Sequence, residues 1–140
     1  GHAFVNLGRG EPGYFGRAIV HQSYSAVTAA CLVVRKSVFD QVDGLDESLA
    51  IAFNDVDFCL RIREAGYRNV WTPYAEMYHH ESASRGTEDT PAKKARFEQE
   101  CALIRTRWAD ITAYDPTYSP NLALGTHHFE MAFPPRTSLT

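Results

Sequence analysis

The segment Phe53-Asn54-Asp55-Val56-Asp57-Phe58-Cys59-Leu60-Arg61 constrains the fold more tightly than any other part of this chain. Asn54 is a good N-cap, and Asp55 and Asp57 put negative charge in a first turn where the helix dipole favours it. Gly66 supplies a left-handed stop. A helix over residues 55–65 is therefore expected, with Asp57 and Arg61 spaced to pair on one face. Asn69-Val70-Trp71-Thr72 then reads as a strand ended by Pro73, and residues 75–79 as a further short extended piece leading into His79-His80-Glu81-Ser82.

Around this centre the sequence is less regular. Residues 1–24 hold several glycines and little periodicity and read as an irregular arm. Thr28-Ala29-Ala30-Cys31-Leu32-Val33-Val34 is a short apolar run with β-branched residues, expected as a strand buried on both faces. Val38, Phe39 and Val42 fall at helical spacing and Asp43-Gly44 ends that helix as a turn. A second amphipathic helix is expected from Pro91 to Trp108, with Phe97, Cys101, Ile104 and Trp108 on one stripe. Residues 25–112 thus form the body. Residues 113–140, with Pro116, Pro120, Pro134 and Pro135, read as an extended tail.

Composition narrows the function classes. A chain of 140 residues with 44% hydrophobic content can bury one modest core. Its formal net charge of −3 gives no basic footprint for a phosphate backbone, so nucleic acid is not an expected partner. Cys31, Cys59 and Cys101 lie far apart without a CxxC pair, and read as buried thiols in a reducing compartment. No apolar run approaches the ~20 residues that span a bilayer.

Three groups of residues could carry chemistry. Asp55, rigidly held at a helix start, suits a general base that removes a proton from an attacking hydroxyl; the alternative is that it caps its own helix. Asp57 has the same two readings, with Arg61 available as a simple ion-pair partner. His79, His80 and Glu81 could supply a metal ligand, although one histidine is not a metal site and a hard cation also wants oxygens. Ser82-Ala83-Ser84-Arg85-Gly86 could close over an anionic ligand, or be a solvated turn. His127-His128 reads as structural.

Taken in order, Thr28 to Arg35, Val42-Asp43-Gly44-Leu45-Asp46-Glu47, Asn54 to Arg61, Ala65-Gly66-Tyr67, Pro73, Ala75 and Tyr78-His79-His80 resemble the motif series in the C-terminal half of bacterial family 2 glycosyltransferases. The Asp115-Pro116 to Asn121-Leu122 segment and Pro134-Pro135-Arg136 resemble a subgroup linked to surface-polysaccharide assembly. The resemblance implies an α/β chain with a partial glycosyltransferase A-type fold, a small mixed sheet flanked by helices, whose N-terminal nucleotide-binding half is absent. It also implies an inverting transfer from a nucleotide-diphospho-sugar donor to a carbohydrate acceptor hydroxyl. In that reading Asp55 is the base, and Asn54, Asp57, Ser82, Ser84 and Arg85 bind substrate. His79 is a ligand of a divalent metal, Mn²⁺ or Mg²⁺, present in the complete enzyme. Asn54 departs from the glutamate usual before the aspartate. The family's donor-binding half, which precedes these motifs and ends in an acidic DxD-type metal-binding motif, has no counterpart here, nor does a Gly-rich phosphate loop, so the chain alone is expected to be inactive and, with apolar surface exposed, to form a homodimer. A cytoplasmic location, peripheral at the inner membrane face, goes with it. Two other classes are open: a metal-dependent hydrolase using Asp55, Asp57, His79 and Glu81, and a non-catalytic module docking a partner through its Tyr- and Pro-rich C-terminal region.

Overall fold

The computed structural model describes residues 3–4, 7–79, 90–125 and 129–136. It is a mixed α/β arrangement consistent with a partial domain, built around one helix and a two-stranded sheet. In chain order the regular elements are β1 (Gln22–Tyr24), α1 (Lys36–Gln41), α2 (Asn54–Glu64), β2 (Asn69–Trp71), α3 (Pro91–Arg107) and α4 (Ala109–Ala113), with 3₁₀ turns at Tyr14–Gly16 and Ala29–Cys31.

Helix α2 organises the rest because it is apolar on two sides. Phe58 and Ile62 pack with Val38 and Val42 of the α1 region, and Leu32, Val34 and Phe39 close that cluster. Leu60 on another side packs with Leu49, Ile104 and Trp108, joined by Phe53, Val56 and Ile111. Fully burying side chains of this kind stabilises by roughly 1.5–3 kcal/mol each, so α2 is held by tertiary contacts more than by helix propensity. Its end is the expected one: Gly66 sits at φ 88°, the Gly66 amide donates to Arg63 O at 2.9 Å, and the Tyr67 amide donates to Ile62 O at 3.1 Å. Helix α1 stops in the same way at Asp43 and Gly44. Gly44 is at φ 63°, and a Cβ there would come within 2.8 Å of the Phe39 ring, so this turn accepts only glycine.

Several expectations need correction. The sheet is antiparallel, not mixed, with β1 on β2 in the register Gln22↔Trp71, Ser23↔Val70, Tyr24↔Asn69, so part of the expected irregular arm is strand. Residues 28–34 form no strand. Thr28 Oγ1 accepts from the Ala30 amide at 3.2 Å and starts a 3₁₀ turn, after which Leu32 and Val34 are half-buried and Val33 is 95% exposed. Apolar character was there, but among the described residues the run has no strand neighbour to pair with. Cys31 is consequently exposed, while Cys59 is buried and Cys101 half-buried; all three are free thiols. Residues 75–79 are exposed and irregular, not strand.

The C-terminal region is less extended than its prolines suggest. Leu122 and Met131 form an antiparallel bridge, the Ala123 amide donates to Glu130 O at 2.8 Å, and the Ala132 amide donates to Asn121 O at 2.8 Å. Arg136 Nε closes the loop on Leu122 O at 2.9 Å. The Phe129 ring stacks on Phe4 and Tyr14 at centroid distances of 4.9 and 5.0 Å, which joins this C-terminal loop to the N-terminal arm. His127 and His128 lie outside the described residues.

Candidate functional site

The site begins where the chain enters α2. Asn54 is the first helical residue and not the cap. The cap position falls on Phe53, whose backbone is left-handed (φ 63°, ψ 6°). A bulky residue in that region costs on the order of 1–3 kcal/mol and persists only when its surroundings impose it. Two features of α3 impose it here. The Glu100 carboxylate, 3% exposed, accepts the Ala52 amide at 2.6 Å and the Ile51 amide at 3.3 Å. The Phe97 ring lies against the Phe53 ring at 5.6 Å.

At the second position of the helix, Asp55 is half-buried at the rim. Its Oδ1 accepts the Val56 amide at 2.9 Å and its Oδ2 accepts the Ala29 amide of the 3₁₀ turn at 3.1 Å. Each oxygen keeps acceptor capacity for a further donor. Asn54 beside it is also half-buried. Below Asp55, the Cys59 thiol packs against Val27. Burial pushes its pKa up, and the Asp55 charge adds to this, so Cys59 is an inert neighbour and not a nucleophile.

Asp57 is placed quite differently. It is 0% exposed, and its oxygens accept Arg61 Nε at 2.7 Å, an Arg107 guanidinium N–H at 2.8 Å and the Trp108 indole N–H at 2.9 Å. The same Arg107 nitrogen reaches Asp46 Oδ2 at 2.6 Å, and Arg61 donates onward to Val42 O and Gly44 O. One buried carboxylate thus ties α2 to α3 and to the loop after α1. Burial raises the Asp57 pKa, but the bonds from Arg107, Trp108 and Arg61 outweigh it and hold the carboxyl below its ordinary value. The Ser48 hydroxyl and then Arg107 do the same for Asp46, and Asp57 and Asp46 in turn raise Arg107.

These depressed pKa values predict a direction. A carboxylate whose folded pKa lies below its unfolded one contributes stability that is present above the unfolded value and lost as pH falls through the folded value. Urea midpoints should therefore hold steady from pH 7 to about the ordinary value of 3.8 and fall below it, and the fall should be shallower in Asp46→Asn. Parallel acid limbs in the two proteins would show that the network carries no such linkage.

The geometry separates residues that the sequence grouped. Asp57 was expected to bind substrate, yet no oxygen of it faces solvent. It is equally unsuited to the hydrolase reading, which needs it as a metal ligand. His79 is exposed. Among the described residues no group of three or more His, Cys, Asp or Glu converges to hold a metal ion. His79 can offer one imidazole to a site whose other ligands lie elsewhere. Glu81, Ser82, Ser84 and Arg85 lie outside the described residues. Glu100 and Arg107 have no role in the sequence reading, and Trp108 appears there only as a member of an apolar stripe. A signal existed for the first, because position 100 shares the helical stripe of Phe97 and Ile104 and a charge there asks for a buried partner.

Fold and site together define a helix-centred α/β unit that presents one carboxylate at its rim and locks a second in its interior. Comparison with known proteins gives this unit a class. The chain is 53% identical over 135 residues to the uncharacterized protein y4gI of Sinorhizobium fredii, covering 96% of this chain and 15% of that protein. It is 34% identical over 125 residues to the O-antigen biosynthesis protein RfbC of Myxococcus xanthus (89% of this chain, 10% of RfbC). It is also 40% identical over 81 residues to the N-acetylglucosaminyl-diphospho-decaprenol L-rhamnosyltransferase of Mycobacterium tuberculosis (58% of this chain, 26% of the enzyme). No protein-family model and no solved structure matches the chain. Similarity to proteins so named supports a glycosyltransferase family; the chain spans only a tenth to about a quarter of the length of these relatives. Among the described residues no helix is long and apolar enough to cross a membrane.

Proposed function

We propose that the chain is the acceptor-side part of an inverting family 2 glycosyltransferase with a glycosyltransferase A-type fold, acting on a nucleotide-diphospho-sugar in the synthesis of a bacterial surface polysaccharide. The observation that carries this reading is the contrast within one helical turn: Asp57 is buried and saturated, whereas Asp55 stands at the rim with its carboxylate oriented by one amide on each oxygen. The names of the Myxococcus and Mycobacterium relatives support the class.

In this mechanism Asp55 takes the proton of an acceptor hydroxyl as that oxygen attacks the anomeric carbon of the donor. The new glycosidic bond forms as the bond from the anomeric carbon to the diphosphate oxygen breaks, and the nucleoside diphosphate leaves with the electron pair. A rigid base is required because attack and proton removal must coincide, and α2, anchored through Asp57, supplies that rigidity. Asn54, Ser82, Ser84 and Arg85 contact substrate. His79 would be one ligand of a divalent metal, whose charge would offset that of the leaving diphosphate, with the other ligands outside the described residues. Donor nucleotide binding belongs to polypeptide beyond this chain, and the place of action is the cytoplasmic face of the inner membrane.

Calorimetric titration of UDP and dTDP in Mn²⁺ tests the division of labour. Binding to the full-length protein and none to the isolated chain is the expected result. Binding to neither would remove the support for a nucleotide-sugar donor. The isolated chain should also run as a homodimer, because among the described residues the outer edges of β1 and β2 have no strand neighbour, and Val70 of β2 and Val33 are exposed. Sedimentation as a monodisperse monomer at high concentration would count against the dimer.

A further inference from the structure

The geometry points to Glu100 as a positioning residue for Asp55, acting through the strained backbone of Phe53. This rests on the reading of Asp55 as the base, but the coupling itself is a property of the fold.

A buried carboxylate on the inner face of a helix requires compensation, and here, among the described residues, its hydrogen bonds go to one short piece of chain. Glu100 takes two successive amides, Ile51 and Ala52, in the loop that immediately precedes Phe53. Among the described residues its ion-pair partner is Arg96, with Nε at 4.0 Å, the outer limit of an ion pair. The carboxylate therefore acts mainly on backbone. Fixing those two amides, with the Phe97 ring against Phe53, sets where the chain turns into α2. The left-handed Phe53 then directs the next two residues, and Asp55 meets the Ala29 amide only from that starting point. Phe53 would adopt an ordinary conformation if the clamp were released, and α2 would begin from a different direction. Glu100 is thus distant from the reaction in sequence, touches no substrate, and still determines the orientation of the base. Its partner Phe97 lies one turn earlier on the same helix, so α3 grips the loop at two points.

Hydrogen exchange at the Ala29 amide reads this coupling directly, since that amide donates to Asp55 Oδ2. The Leu60 amide, in the buried middle of α2, reports global opening as the internal reference. In Glu100→Gln, which keeps the volume but turns an amide donor toward one of the two N–H groups, Ala29 exchange should rise by roughly fivefold to tenfold beyond any change at Leu60, the factor that loss of one ordinary hydrogen bond gives. Phe97→Ala should move Ala29 in the same direction without touching the carboxylate. A change at Leu60 with Ala29 unaltered, or loss of the fold in both variants, would overturn the proposal, because either makes Glu100 a plain structural residue. Failure of the functional reading looks different: a transferase still active as Asp55→Asn removes the base while leaving an altered Ala29 exchange in place.

Discussion

With Asp55 as the proposed base, its replacement by asparagine should lower sugar transfer by the full-length protein by roughly 10²- to 10⁴-fold, the range that a positioned general base contributes. The substitution is nearly isosteric. Asparagine keeps one carbonyl oxygen, so it can still accept either the Ala29 or the Val56 amide, and the fold should lose about 1 kcal/mol or less. What it cannot do is take a proton from an acceptor hydroxyl. Release of UDP or dTDP from the matching nucleotide sugars measures the loss, and thermal unfolding of the same samples measures the retained fold. Three readings then separate. A base gives lost turnover with intact fold and intact metal affinity. A simple helix cap gives a small stability loss with turnover unchanged. A metal-dependent hydrolase that uses Asp55 as ligand gives lost metal affinity.

How much of this was legible beforehand depends on whether the determining contacts are local. The course of α2 could be read because its dipole-favouring carboxylates and its glycine stop are all within a few residues of the helix. Helix α3 could be read from its N-terminal proline and its stripe, and Thr90 Oγ1 does cap it by accepting the Lys93 amide. The run from Thr28 to Val34 was misread because a strand is defined by its neighbour, and no pattern within seven residues says whether a neighbour is there. The same limit applies to the site. Asp55 and Asp57 look alike in sequence, two positions apart at the start of one helix. Only residues some fifty positions downstream, Arg107 and Trp108, make one of them structural and leave the other at the rim. Residue preference puts the N-cap on Asn54. Preference lost to Glu100 and Phe97, which hold the cap position on Phe53.

Asp57→Ala should be strongly destabilising, by roughly 3–5 kcal/mol, because it removes one partner of a buried ion pair and leaves the others. Without the carboxylate, the Trp108 indole N–H is buried with no acceptor, and two guanidiniums face each other across the vacated position. Arg61 and Arg107 are partly open to water, with side chains 22% and 34% exposed, and recover some hydration, which places the expected loss toward the lower end of that range. A loss of that size is a large share of the roughly 5–15 kcal/mol that holds a domain together. Asp46→Ala is the matched control. It removes the more exposed carboxylate from the same Arg107 nitrogen and should cost about 1 kcal/mol or less. Urea unfolding of both variants makes the comparison, and equal losses would show that the buried network carries no special weight. Activity adds a second discrimination. Asp57 acts by fixing α2, so full-length Asp57→Ala should lose transfer in proportion to its unfolded fraction and recover it where low temperature or a stabilising osmolyte restores the fold. Asp55→Asn should not recover under any condition that leaves it folded. Two carboxylates of one helical turn are thereby told apart, one by what it holds together and the other by what it removes.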